Sequence, residues 1–325
     1  VVLTPYYDHG GITIYHGDAM GILPALPAAS VSLVIADPPY HGVIDAEWDN
    51  QWETDGEFLA WFDSWVALAC PLMRDNATLY AFSSPQMSAR VEGVVRAHLA
   101  VIASVVWDKT TPGGKPEVPG LRTYWTGQTE RIVVAECYGA DNLAKGEAGY
   151  VSKCDEVRGF VFEPIRAYLD GERARAGVAR KQINDATATD MAGHWFSSVQ
   201  WALPTAEHYA TIRACLNAGG GEYLRREYED LRRPFFATTS EQWGDVWRFQ
   251  TPGRQRQHPT QKPEAMFAQI IRVSSRPGDV VLDPFGGSGT AMRAAKNLGR
   301  RGIMIEREER YCEVAAKRLA QEVLP

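Results

Sequence analysis

With 325 residues, 45% of them hydrophobic and 23% charged, the chain has the composition of an ordinary globular protein, long enough for one large domain and an insertion. Its formal net charge of −6 argues against a protein that coats nucleic acid indiscriminately, but leaves room for a local basic surface. No apolar run nears the ~20 residues that span a bilayer, and no basic-then-apolar leader is seen, so no membrane partner and a cytoplasmic location are expected. The five cysteines are scattered and form no CxxC pair, so neither a disulfide framework nor a metal site is expected.

Gly11 to His16 alternate as a strand does and lead into Gly17-Asp18, where the acid could accept from an amino group or simply cap a helix. Val31 to Ala36 is a β-branched run stopped by two prolines, so Asp37-Pro38-Pro39-Tyr40 is presented at the carboxyl end of a strand. The polar, Trp-bearing stretch 41–52 predicts a loop able to cover a site. A helix over Phe58–Leu72, with its aromatics read as core, a strand at Thr78–Phe82, a helix over Pro85–Leu99, and strands at Val101–Trp107 and Thr129–Cys137 complete the first part. Strands alternating with helices predict a doubly wound α/β sheet.

From about residue 141 the texture becomes helical: Glu163–Ala176, Val178–Asp185, Ala188–Phe196, Thr205–Asn217 and Glu222–Arg233. The run 173–189 has the look of a phage-repressor helix-turn-helix, although short helices joined by Gly177 also occur in plain helical packing. Arg175, Arg180, Lys181 and His194 are candidate DNA contacts there, as are Arg254 and Arg256 in a later loop; solvated surface charge is the plainer reading of any one of them. Glu264–Ser274 predicts a helix, Gly278–Asp283 a strand, Ala291–Leu298 a helix, Arg301–Glu306 a strand and Tyr311–Leu319 a last helix.

Strand, glycine turn, helix, strand and acid form a cradle for a nucleoside at a sheet edge, and the spacing from Asp283 to Glu306 is close to the ~20 residues expected. A phosphate loop would need Gly-Lys-Ser/Thr, and Gly289 is followed by Thr290 alone. A dinucleotide turn would want a third glycine after Gly287-Ser-Gly289, and an acid at 283 disfavours an anionic ligand. S-adenosylmethionine, which has no pyrophosphate, is the ligand favoured by this comparison.

Asp37-Pro-Pro-Tyr40 together with His258-Pro-Thr-Gln-Lys-Pro263, Asp283-Pro-Phe-Gly-Gly-Ser-Gly-Thr290, Gly302-Ile-Met-Ile-Glu306 and Tyr311–Leu319 closely resembles the amino-methylating DNA methyltransferases. The motif order, base-gripping motif first and donor motif last, is that of the permuted beta class, and the resemblance covers about 11–137 and 243–320. It implies a Rossmann-like S-adenosylmethionine-dependent methyltransferase sheet: a catalytic half over 1–140, an inserted helical target-recognition region over 141–245, and a donor-binding half over 246–325. By this resemblance Asp18 meets the donor's adenine, Asp283, Phe285, Gly286, Gly287 and Ser288 line the donor pocket, Glu306 holds the ribose and Lys262 lies near the methionine carboxylate. Asp37, Pro38, Pro39 and Tyr40 grip the target amine and stack on the extruded base. The only Cys–Pro pair, Cys70-Pro71, is in the wrong order for a carbon-5 cytosine nucleophile.

The leading expectation is methylation of adenine N6 in double-stranded DNA, since aspartate heads the tetrapeptide; cytosine N4 is the alternative. Methylation of RNA or of a protein glutamine, and a DNA-binding regulator on an inactive scaffold, are the further readings. Relatives in the resembled class often pair, so a homodimer is expected, and a cognate restriction endonuclease is a candidate partner.

Overall fold

The computed structural model describes residues 3–43, 45–110, 128–137, 163–198, 201–231, 233–237, 244–253, 258 and 260–321. Among these, strands β1 (Tyr7–His9), β2 (Ile12–His16), β3 (Val31–Ala36), β4 (Met73–Ser83), β5 (Ala100–Asp108), β6 (Thr129–Glu136), β7 (Val246–Arg248), β8 (Val280–Asp283) and β9 (Arg301–Glu306) form one sheet. Its order is β1-β2-β9-β8-β3-β4-β6-β5-β7. The pairs β2/β9, β9/β8, β8/β3 and β3/β4 are parallel, and β1 returns antiparallel on β2. β3 is buried along its whole length, as a central parallel strand covered on both faces must be.

The topology locates the crevice. From β3 the chain crosses through the helix Asp55–Ala69 to β4 on one side, whereas from β8 it crosses through the helix Thr290–Asn297 to β9 on the other. Since β3 and β8 are neighbours, their carboxyl ends flank the switch point, where open α/β sheets hold ligands. Asp37 and the glycine turn therefore meet although they are distant in sequence.

Several boundaries differ from expectation for identifiable reasons. The helix predicted over 58–72 begins at Asp55, because the Thr54 hydroxyl caps Glu57 N–H, and tightens to a 3-10 turn at Cys70–Leu72 where Pro71 cannot continue it. β4 begins five residues early, because its pairing with β3 jumps from Val31–Met73 to Leu33–Thr78 across an irregularity that leaves Arg74 and Asp75 exposed. Phe58, Phe62 and Trp65 are fully buried, contributing about 2 to 3 kcal/mol each.

The chain divides into two compact units, residues 1–135 with 234–325, and residues 136–233. The second unit has its own core, in which Ile165, Leu169, Ile183, Trp195, Phe196 and Tyr209 cluster. Its helices are Glu163–Ala176, Arg180–Thr187, Ala192–Phe196, Ala206–Asn217 and Tyr228–Leu231. The third is shorter than the expected 188–196 because Ala188 sits in the left-handed region at φ 53° and turns the chain. No helix among the described residues is long and apolar enough to cross a membrane.

Candidate active site

The tetrapeptide leaves β3 and is shaped by Asp49, a residue of the polar stretch 41–52. The carboxylate of Asp49, 1% exposed, accepts the backbone N–H groups of Tyr40 at 2.6 Å, His41 at 3.1 Å and Val43 at 2.7 Å. These three bonds hold the chain through two successive left-handed residues, His41 and Gly42. The loop 41–52 also brings Trp48 to the cavity wall, 6.0 Å from the His258 ring, which in turn stands 4.3 Å from Tyr311.

Four polar groups close a ring beside Asp37. Lys262 places its ammonium 2.7 Å from Asp37 Oδ1 and 3.4 Å from Glu130 Oε2. The Tyr40 hydroxyl lies 3.0 Å from Asp37 Oδ1 and 2.7 Å from Glu130 Oε2. Lys109 reaches the other Glu130 oxygen at 2.7 Å. Two carboxylates and two ammonium groups balance, which is what a cluster this buried requires. Burial pushes the Asp37 carboxyl above the usual range, Lys262 pulls against it and Glu130 adds to it. At Glu130 burial also pushes upward, but Lys262 and Lys109 outweigh it and hold this carboxyl below the usual range. Burial would discharge Lys262, yet Asp37 and Glu130 hold its pKa above that of an ordinary lysine.

A cavity of about 340 Å³ runs from this ring to the turn after β8 and is lined by Asp18, Trp61, Asp283, Phe285, Glu306 and Tyr311 among others. The turn needs its glycines: Gly289 has φ +73°, and a Cβ there would stand 2.8 Å from that of Ala315. Gly287 donates its N–H to Glu306 Oε2 at 2.7 Å, and Glu308 N–H reaches the other oxygen at 2.8 Å, so the acid is fixed at the end of β9. Phe285 is propped by Trp61 and Trp65 at 5.6 and 5.5 Å, so Trp65, expected as core, also supports the turn. Asp18 does cap a short helix, accepting from Met20 N–H at 2.9 Å, while lining the cavity. The buried Asp283 accepts from Phe285 N–H at 3.1 Å; burial pushes its carboxyl up to about 8, against that N–H and with help from Asp37 and Glu306. His258 is pushed down to about 4 by burial, then by Lys262 and Arg310. Two immobilised acids, an aromatic wall and glycine backbone suit a ligand with sugar hydroxyls and a cationic head, which describes S-adenosylmethionine.

The structure thus brings Asp18, Asp37, Pro38, Pro39, Tyr40, Lys262, Asp283, Phe285, Gly286, Gly287, Ser288 and Glu306 to one cavity. Glu130, Lys109 and Asp49 were not anticipated. Glu130 stands at the polar start of Thr-Glu-Arg-Ile-Val-Val-Ala-Glu, beside Arg131, where an acid carries no distinguishing signal, and Lys109 and Asp49 stand among loop charges. In the second unit Arg175 pairs with Glu172 and lies over the Tyr223 ring, Arg180 donates to the Phe196 carbonyl, Lys181 pairs with Asp185, and His194 lies in the helix Ala192–Phe196. The run 173–189 is there two helices joined at Gly177, φ +68°. Arg254 and Arg256, and the expected boundary near residue 140, lie outside the described residues.

A family model for the DNA methylases of the N6/N4 methyltransferase type matches residues 31–317. The DNA adenine methyltransferase YhdJ of Escherichia coli (strain K12) is 25% identical over 313 residues, covering 94% of this chain and 82% of that protein. The crystal structure of an M1.HpyAVI–SAM complex superposes with a TM-score of 0.53 at 21% identity, over 95% of this chain and 100% of that one. The PvuII DNA methyltransferase, cytosine-N4-specific, gives 0.57 at 14% identity over 99% and 91% of the two chains, so both likenesses show the Rossmann-like methyltransferase fold. The model match covers most of the chain, including both the tetrapeptide and the glycine turn, and the chain therefore belongs to the N6/N4 DNA methylase family, whose methyl donor is S-adenosylmethionine.

Proposed function

We propose that this enzyme methylates the exocyclic N6 of adenine in duplex DNA, taking the base out of the helix to do so. The observation that carries the reading is Asp37, held at the carboxyl end of β3 in the same cavity as the glycine turn, Asp283 and Glu306. When bound, S-adenosylmethionine supplies an electrophilic methyl group on a sulfonium. The rest is done by the chain. An exocyclic amine shares its lone pair with the ring and attacks poorly. Asp37 and the Pro38 carbonyl accept its two N–H bonds, draw the nitrogen toward tetrahedral geometry and stabilise the positive charge that develops. Tyr40 presents its ring to the base, and confinement in one cavity supplies much of the rate by proximity. Glu306 would take the ribose hydroxyls, Asp283 would lie toward the cationic head, and Lys262, with three N–H donors, could hold Asp37, Glu130 and a ligand carboxylate together.

Adenine is favoured by the aspartate at 37, and a relative named as an adenine methyltransferase is consistent with it. The structural likeness to a cytosine-N4-specific enzyme keeps cytosine as the second reading. Mass spectrometry of nucleosides from duplex DNA incubated with enzyme and donor decides between them. N6-methyladenine is expected, and N4-methylcytosine in its absence sinks the adenine assignment. The helical unit 136–233, with Arg175, Arg180, Lys181 and His194, is proposed to read the target; the Lys181–Asp185 pair is solvent-exposed and weak enough to exchange for a phosphate, and the Arg175 side chain is itself largely exposed.

Asp283 gives the donor step a pH dependence. In the free enzyme its carboxyl is neutral below about 8, and a cation placed beside it favours the ionised form. Binding then releases a proton, so donor affinity rises with pH by up to about tenfold per unit until it levels near that value. Calorimetry in buffers of different ionisation enthalpy should show the release, and Asp283→Asn should abolish it.

A further inference from the structure

The two oxygens of Asp37 are used unequally. Oδ1 receives the Lys262 ammonium and, at 3.0 Å, shares the single Tyr40 hydroxyl proton with Glu130 Oε2, while no described hydrogen bond engages Oδ2. A lysine on a four-carbon stem and a phenol on a loop would each be poor clamps alone. Both are tied to the same carboxylate, Glu130 Oε2, and Lys109 secures the other oxygen of that group. Glu130 is 8% exposed and stands on β6, so the ring of contacts is anchored in the sheet rather than in the loop that carries Tyr40. Glu130 and Tyr40 also form part of the wall between the donor cavity and a second one that opens toward Ser84, Gln86 and Arg90.

We infer that Glu130 is a positioning residue for methyl transfer: acting through Tyr40 and Lys262, it fixes Asp37 by Oδ1 so that Oδ2 is presented to the target amine. The inference rests on the reading that Asp37 accepts the amine hydrogens. Glu130 does not reach the reacting atoms. Its effect is on angle and distance.

Glu130→Gln keeps the shape and removes the charge. Turnover should fall on the order of 10- to 100-fold, the size expected of a misplacement near 1 Å, with dissociation constants for donor and DNA changing far less than kcat. The acid limb of the kcat profile should also move to lower pH, because Glu130 is one of the groups holding the Asp37 carboxyl up. Glu130→Asp, which restores the charge, should return the limb toward its original position. Tyr40→Phe should cost less in the Glu130→Gln background than alone, since one ring of contacts is being broken twice. A Glu130→Gln enzyme with wild-type kcat and an unmoved acid limb overturns the inference, as does a uniform loss at every pH accompanied by lowered thermal stability. If Asp37→Ala remains active, the amine reading itself has failed; if Asp37→Ala is dead and Glu130→Gln is unaffected, only the positioning role has.

Discussion

Asp37→Ala is expected to lower methyl transfer by about 10²- to 10³-fold, the range of losing a preorganised electrostatic contact to the transition state. The loss should fall on kcat, with donor affinity close to wild type. The reason is geometric: the nucleoside end of the cavity is built by Asp18, Phe285 and Glu306, and none of these leans on Asp37. The fold should also survive, because Lys262 retains Glu130 as a buried partner when Asp37 is removed. Labelled-methyl transfer to duplex DNA, together with calorimetric titration of the donor, separates the two effects. Turnover within tenfold of wild type in this variant would falsify the assignment of Asp37 to the amine.

Lys262→Met should produce the largest loss of stability. The lysine is 4% exposed and bridges two carboxylates, and its ammonium also sits 5.0 Å from the Tyr40 ring centroid. Methionine fills the space but leaves Asp37 and Glu130 facing each other with Lys109 alone to compensate. Breaking a buried pair on one side costs about 3 to 5 kcal/mol. The pH dependence follows from the sign of the Glu130 shift. In the native protein its pKa is held below the unfolded value of 4.5, so it contributes stability that is present above that pH and lost as pH falls. Without Lys262 the folded value rises, and the same group becomes a penalty at neutral pH that protonation relieves. Urea denaturation should therefore show a wide gap between the two proteins at pH 7 that narrows toward pH 4. A gap that widens on acidification would contradict the charge balance described for the ring.

Asp37 and the glycine turn at 286–289 were legible because each stands where a strand pattern stops, and chain-breaking residues mark such places locally. The pairing of Asp283 with Glu306 was legible for the same reason, one strand–turn–helix–strand unit read end to end. Helix limits were less so: Thr54 extended one helix backward by a single hydroxyl, and Ala188 shortened another by adopting a left-handed backbone that nothing in its side chain announces.

Residue types and spacing were sufficient for the α/β class, for a nucleoside cradle without a phosphate loop, and for an acid beside an aromatic at a strand end, because these depend on periodicity and on what proline and glycine do to a backbone. They were not sufficient for the company Asp37 keeps. Lys262 reaches it directly, Glu130 stands behind Lys262 and Tyr40, and Lys109 holds Glu130; they come from separate stretches of chain, brought together only when β3 and β8 pair at the switch point and β6 takes its place beside β4. Coulomb interactions among buried groups depend on distance in space, which strand order sets and sequence separation does not.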